Sequence, residues 1–174
     1  MKTNNIKLAG EYQDTGLLPG GVLEIAGELR NLLADTLALY MKTKSFHWHM
    51  SGRHFRDYHL LLDEHATEIL GITDDIAERS RKLGSATLHS IGDITRHQRL
   101  RDDDREFVAP EEMLRELLAD NRQLTSFLRV AHGVCDRNCD VATTSLIEVW
   151  IDQAERRVWF LTEIVLGLAA ERES

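Results

Sequence analysis

Four side chains of the kinds that bind transition metals recur with mirror-symmetric spacing in the middle of this 174-residue chain. They are His59, Asp63, Asp74 and Glu78, and the outer pair and the inner pair share one midpoint in the sequence. Imidazole and carboxylate ligands without a thiolate suit Fe(II), Mn(II) or Zn(II) and leave coordination positions open for a reactant. The spacing therefore indicates a metal site.

Helix geometry decides how such a site could be built. On a helix, which advances about 100° and 1.5 Å per residue, the four side chains share one face. His59 and Glu78 would lie about 28 Å apart along the axis, and Asp63 and Asp74 about 16 Å. Since metal–ligand bonds are only about 2 Å long, one chain cannot bring both ends to a single ion. An antiparallel second copy across a twofold axis would place each end opposite the other end of its partner, which predicts two equivalent sites where two chains meet.

The alternative is that these are solvated polar residues on an exposed helix, as single acidic residues usually are. That alternative weakens for the set as a whole, because small and apolar residues are interleaved on the same helical face. These interleaved residues are Ala66, Leu70 and Ala77. We therefore expect this face to contact another subunit.

Helices must position these residues. Apolar residues recur at steps of three and four along four stretches of the chain, separated by glycine, proline or capping residues. We predict long helices at 22–47, 55–83, 110–132 and 140–170. Ser51-Gly52 and Gly84 mark breaks, Pro110 marks a helix start, and Asp140 is a candidate N-cap.

The pattern predicts an all-α fold, a four-helix bundle with a short extra helix in the long connection between the second and third long helices. Within that connection, we interpret 99–106, RLRDDDRE, as a solvated loop, and we interpret 133–139 as the connection to the last helix. We assign 1–18 to an N-terminal tail and 19–174 to the bundle domain.

One more candidate ligand stands at the end of the first helix. His47 precedes the break at Ser51-Gly52, where the chain must turn back, so it can lie beside His59 and Asp63. His49 lies two residues further on, on roughly the opposite helical face, so we favour His47 and place Trp48 beside the site.

A metal centre inside one bundle is disfavoured by the sequence. Di-iron bundles use Glu-x-x-His motifs on facing helices. No Glu in this chain is followed three residues later by His. This observation again favours a site shared between two chains.

Composition limits the classes of partner. The formal net charge of −8 opposes nucleic-acid binding unless a basic segment is set apart. No apolar run reaches the length of a membrane span, and no signal peptide is visible. The two cysteines, Cys135 and Cys139, form no disulfide framework, so we expect a cytoplasmic protein. His132 with the two cysteines could bind a soft metal, but we favour an ordinary loop there.

Three segments carry a resemblance to a known family. They are HWHMSGRHFRDYHLLLDEH at 47–65, DDIAER at 74–79 and RRVWFL at 156–161. In these motifs, and in its helix pattern over nearly the whole chain, the sequence resembles the Dps family, the mini-ferritins of bacteria.

The resemblance implies a ferritin-like four-helix bundle, a hollow dodecameric shell and ferroxidase sites at twofold interfaces. By motif position, it implies that His47, His59 and Asp63 come from one subunit and Asp74 and Glu78 from its neighbour. The implied activity is oxidation of iron, Fe2+ to Fe3+, preferably by hydrogen peroxide rather than dioxygen, with ferric mineral stored in the cavity.

This activity would protect the cell from oxidative damage. Trp48 could scavenge stray radicals near the site, and core packing is an equally good account of that residue.

The chain departs from the family pattern in several places. His49 stands where the family commonly has Asn, and the tail lacks the dense Lys and Arg that gives some members DNA binding. Asp136 and Asp140 are candidates for the family's acidic pore, although capping equally explains Asp140. A nucleoid-compacting DNA-binding protein and a monomeric or dimeric metal hydrolase remain as alternative functions.

Overall fold

A computed structural model describes residues 15–173 and their side chains through residue 170. Within this range the chain forms five helices and no strands. They are α1 (Pro19–His49), α2 (Phe55–Lys82), α3 (Ile91–His97), α4 (Pro110–Arg137) and α5 (Val141–Glu173). The prediction of an all-α four-helix bundle with a short extra helix is confirmed. Most of the predicted tail, residues 1–14, lies outside the described residues.

The four long helices pack around one apolar core. α1 contacts α2 and α4, and α5 contacts α4 and α2, while α3 packs against α1. Complete burial of each Leu or Ile side chain contributes about 1.5–3 kcal/mol to folding. The fully buried members include Ile25, Leu29, Leu32, Leu39, Leu62, Ile69, Ile76, Leu114, Leu117 and Leu124.

Proline and glycine set the helix boundaries that matter for the site. Pro19 and Pro110 stand at the first turns of α1 and α4, where their missing N–H has no helical partner to lose. Gly52 adopts a φ of +89° in the short turn between α1 and α2, a conformation that favours glycine. This tight reversal places the end of α1 beside the start of α2, as predicted.

The end of α4 was predicted wrongly. The sequence suggested an end near His132, before Gly133, but α4 continues to Arg137. It ends with the amide of Cys139 donating to the carbonyl oxygen of Asp136 and the amide of Asp140 donating to that of Cys135. This is a Schellman motif with Cys139, at a φ of +59°, in the position that glycine usually takes.

The predicted N-cap of α5 is confirmed. The Asp140 carboxylate accepts a hydrogen bond from the amide of Thr143 at 3.1 Å, which satisfies a free donor of the first turn. The same carboxylate is 3% exposed and pairs with Arg79 at 2.7 Å. Asp140 thus links α2 to the start of α5.

The connection between α2 and α4 is more than the predicted solvated loop. Arg99 donates from its side chain to the buried carboxylate of Asp35 at 2.8 Å, and its guanidinium lies 3.8 Å from the centroid of the Phe127 ring. Leu100 is buried. The many charged residues of this segment suggested a solvated loop. One of them, Arg99, instead forms an ion pair inside the protein and holds the segment against α1.

Among residues 15–173, no helix combines the length and the apolar character needed to cross a membrane.

Candidate metal centre

His47 and His59 form a stacked pair where α1 and α2 meet. Their ring centroids are 3.8 Å apart and their planes differ by 21°. His47 Nδ1 lies 2.7 Å from the carbonyl oxygen of His59, and His59 Nδ1 lies 2.9 Å from the carbonyl oxygen of His47. Each residue therefore fixes the other's ring through its backbone.

These two contacts determine the tautomer of both rings. A carbonyl oxygen can only accept a hydrogen bond, so each Nδ1 must carry the proton and donate it. In the neutral ring the Nε2 then carries a lone pair. An imidazole that donates through one nitrogen to a carbonyl is oriented and made more basic at the other, as metal-binding histidines commonly are. In each ring, Nε2 is thus the nitrogen that can bind a metal ion.

Asp63 adds a carboxylate to the pair. It lies one turn after His59 on α2, and its Oδ1 is 3.9 Å from Nε2 of His47. Oδ1 also accepts a hydrogen bond from Nζ of Lys44 at 2.6 Å. This bond to Lys44 is the main cause that lowers the pKa of Asp63, which keeps the carboxylate charged. The structure therefore brings His47, His59 and Asp63 together, as the sequence predicted.

Asp74 and Glu78 stand apart from that group. They lie further along the continuous helix α2, where the spacing puts Asp74 about 16 Å from Asp63. Both are exposed, and Glu78 pairs with Lys82 of its own helix at 3.0 Å. Within the described part of one chain, no three or more His, Cys, Asp and Glu side chains are placed to hold an ion. The two halves of the predicted site are separate in a single subunit.

The surroundings of the site differ in part from the prediction. Leu70 is 42% exposed and Ala77 is half-buried, but Ala66 is buried in its own bundle. Ala66 lies at the edge of the helical face, next to the core stripe, and the bundle covers it. Trp48 is 58% exposed, so core packing within the subunit does not account for it. His49 is exposed, and its Nδ1 lies 2.7 Å from the carbonyl oxygen of Ser45.

The centre of the bundle contains a different polar cluster, which the sequence reasoning missed. Arg157 is 1% exposed and donates to Glu68 at 2.6 Å and to Asn121 at 2.8 Å. Burial lowers the pKa of the Arg157 guanidinium, and the bond to Glu68 opposes that shift. A protein cation thus balances the carboxylate in the bundle interior. The signal was available, because Arg157 continues the three- and four-residue spacing of the buried residues Trp150, Ala154 and Leu161.

His65 lies near this cluster. It is 6% exposed, and its ring centroid is 6.3 Å from that of Phe160. Burial, with smaller contributions from Arg157 and Arg156, lowers the pKa of His65 to about 4. His65 is thus a buried packing residue.

The structure shows the surroundings of the candidate residues near the end of α4, which are His132, Cys135, Cys139 and Asp140. Cys135 is a core residue whose burial raises its pKa to about 12, and Cys139 is exposed. His132 lies 3.2 Å from Glu148 on α5. Capping and the pair with Arg79 account for Asp140.

Comparison with known proteins places the chain among relatives of this architecture. The sequence matches the family model of the ferritin-like domain over residues 26–168. It is 31% identical to DNA protection during starvation protein 1 of Deinococcus radiodurans over an alignment of 148 residues that covers 81% of this chain and 68% of that protein.

Two solved structures have a similar fold. DpsC from Streptomyces coelicolor is 25% identical, with a TM-score of 0.86 over 95% of this chain and 96% of that chain. A Dps protein from Vibrio cholerae O1, described as a member of a broad superfamily of ferritin-like diiron-carboxylate proteins, is 24% identical. Its TM-score is 0.84 over 90% of this chain and 98% of that chain. The similarity to the Vibrio cholerae protein shows a shared fold alone.

Proposed function

Because the chain belongs to the Dps family of ferritin-like proteins, we propose that it is an iron-sequestering ferroxidase. In this proposal it oxidises Fe(II), preferably with hydrogen peroxide and otherwise with dioxygen, and stores the ferric product in a hollow shell. The observation that supports this most is the reciprocal pair of His47 and His59, which prepares two Nε2 atoms beside a charged Asp63.

The proposed site takes its ligands from two subunits. His47, His59 and Asp63 of one subunit bind Fe(II) together with Asp74 and Glu78 of the partner subunit. The separation of the two groups along α2 supports this arrangement, because neither half alone supplies enough ligands. The exposure of Asp74 and Glu78 leaves them available to a partner.

The residues have distinct roles in the proposed reaction. As metal ligands the two imidazoles add no charge, while Asp63 and the two carboxylates of the partner subunit offset the positive charge that grows as Fe(II) becomes Fe(III). Two Fe(II) ions each give one electron to one hydrogen peroxide. The O–O bond breaks, two protons are taken up, and two waters form. Two-electron reduction avoids release of hydroxyl radical.

Trp48 is the nearest exposed aromatic residue in sequence to this group, one residue after His47. We assign it the role of an electron donor to any radical that escapes from the site. The assignment rests on its position and on its exposed indole.

The proposal includes a dodecameric shell and a cytoplasmic location. The two cysteines are unpaired, which fits a reducing compartment. DNA binding is not included, because the chain carries a net charge of −8 and its first 18 residues contain only two lysines, Lys2 and Lys7.

The test is peroxide-dependent oxidation of Fe(II) by the assembled protein, followed by the ultraviolet absorbance of the ferric product. We expect H59A/D63A to lower the initial rate by more than about 100-fold, since even loss of outer-shell support costs 10–100-fold in metal sites. Size-exclusion chromatography should show an unchanged shell. The control H89A/D104A, which removes an exposed His and an exposed Asp elsewhere, should retain the wild-type rate. Unchanged kinetics in H59A/D63A would contradict the site.

A further inference from the structure

Lys44 is an additional residue at the metal centre that the proposed function does not use. It lies on α1, three residues before His47 and therefore on nearly the same helical face. Its side chain is only 18% exposed, although lysine is usually a surface residue. The buried stem directs Nζ towards α2, where it bonds to Asp63.

Lys44 competes for the same atom that the metal needs. Its Nζ lies 2.6 Å from Oδ1 of Asp63. The same Oδ1 is the carboxylate atom that lies 3.9 Å from Nε2 of His47. An ion held between His47 and Asp63 would thus meet an ammonium group on one of its two ligands.

The positive charge of Lys44 opposes the binding of a metal ion at Asp63. The ammonium of Lys44 is the lysine charge that faces Asp63 directly, and it is the main cause that lowers the pKa of that carboxylate. A divalent ion and an ammonium repel each other, and both cannot share one carboxylate oxygen closely. Binding of the ion therefore requires that Lys44 release Asp63.

We propose that Lys44 is a positioning residue that holds Asp63 as a resident cation and weakens the affinity of the metal centre, because incoming iron must displace it. The inference rests on the proposed function and concerns the same site. Lysine suits this role, since its ammonium is a compact charge on a flexible stem that can swing away. A centre of moderate affinity also releases its oxidised product more readily than a tight one.

The test uses Co(II), titrated in the absence of peroxide, as a probe of the assembled full-length protein. Binding is followed by the visible absorbance of the bound ion and by calorimetry. We expect K44M and K44Q to lower the Co(II) Kd about fivefold, the scale of a partly exposed ion pair. K44R keeps the charge and should bind Co(II) no more tightly than the wild type does.

Lys42 provides the matched control. It is also on α1, but its Nζ pairs with Asp120 of α4 at 2.7 Å, away from the centre. K42M should leave the Co(II) Kd unchanged. Thermal unfolding of each variant shows that the shell is intact before binding is compared.

The outcomes separate this inference from the proposed function. Tighter binding in both K44M and K44Q, with K42M unchanged and K44R no tighter than the wild type, supports the inference. Unchanged or weaker binding in K44M and K44Q overturns it, while the centre itself stands if H59A/D63A loses Co(II). If H59A/D63A binds Co(II) as the wild type does, the centre and the inference both fail.

Discussion

The bundle centre and the start of α2 each contain a carboxylate paired with a cation, and the two pairs differ in how deeply they are buried. In the bundle centre, Glu68 is paired with Arg157, and Asn121 takes a further bond from the guanidinium. At the end of α1 and the start of α2, His47 and His59 keep both Nε2 atoms available beside Asp63. We interpret the first pair as structural and the second as part of the proposed metal site.

The comparison also explains why a metal centre inside the bundle is not expected here. Di-iron bundles fill their interior with carboxylates and histidines from facing helices, which a pair of metal ions must balance. In this chain the buried guanidinium of Arg157 already balances Glu68, so that position needs no metal. In the proposed function, iron binds instead at a surface that a second subunit completes.

Breaking the interior pair should have the largest effect on stability. Glu68 is 14% exposed in its side chain and Arg157 1%, so E68A leaves a buried guanidinium without its carboxylate. We expect the free energy of unfolding to fall by about 3–5 kcal/mol, the usual cost of removing one partner of a buried ion pair. Denaturant titration at fixed protein concentration measures it.

Glu64 provides the control for this prediction. It lies one helical turn before Glu68 and is exposed, so E64A should change the free energy of unfolding by less than about 0.5 kcal/mol. A value for E68A within about 1 kcal/mol of the wild type would show that the interior pair does not stabilise the bundle as described.

His65, in the same interior region, should make the free energy of unfolding depend on pH. This is the second-largest effect that we expect. The pKa of His65 is lowered from 6.5 to about 4 by burial and by the nearby Arg157 and Arg156. The unfolded chain therefore binds a proton as the pH falls through 6.5, while the folded chain does not until about 4. Stability is full above pH 6.5 and is lost progressively as the pH falls to about 4, by about 3 kcal/mol in total.

The measurement is the difference in unfolding free energy between the wild type and H65L across this range. That difference should shift by about 3 kcal/mol in favour of H65L between pH 7 and pH 4, because the variant lacks the titrating group. H89L, at an exposed histidine, should follow the wild type. Parallel curves for the wild type and H65L would refute the burial argument.

Local sequence signals predicted most of the fold. Pro110 marked the first turn of α4, Gly84 followed the end of α2, and Asp140 capped α5, because each acts through its own backbone or its near neighbours. The prediction for the end of α4 was wrong because it also relied on a local signal. Gly133 suggested a stop, but Cys139 took the left-handed position, a choice that residue preferences do not reveal.

The sequence predicted the part of the candidate site that depends only on the reversal of the chain between α1 and α2. A short turn had to bring His47 near His59 and Asp63, and the structure confirms their proximity. The reciprocal hydrogen bonds and the contact of Lys44 with Asp63 could not be predicted, because both depend on how α1 is rotated against α2. The contribution of a second chain stays a prediction.

The central claim is that two chains complete each site, and complementation between two inactive variants tests it most directly. H59A/D63A lacks one half of the site and D74N/E78Q lacks the other, so each alone should form inactive shells. In shells co-assembled from equal amounts of both, random pairing across the twofold axis leaves about a quarter of the sites with both halves intact.

We predict that the mixed shells recover about a quarter of the wild-type rate of peroxide-dependent Fe(II) oxidation. Mass spectrometry of intact shells confirms that both chains are present in each. Mixed shells that remain as inactive as either parent, although both chains are present, would contradict a site shared between subunits.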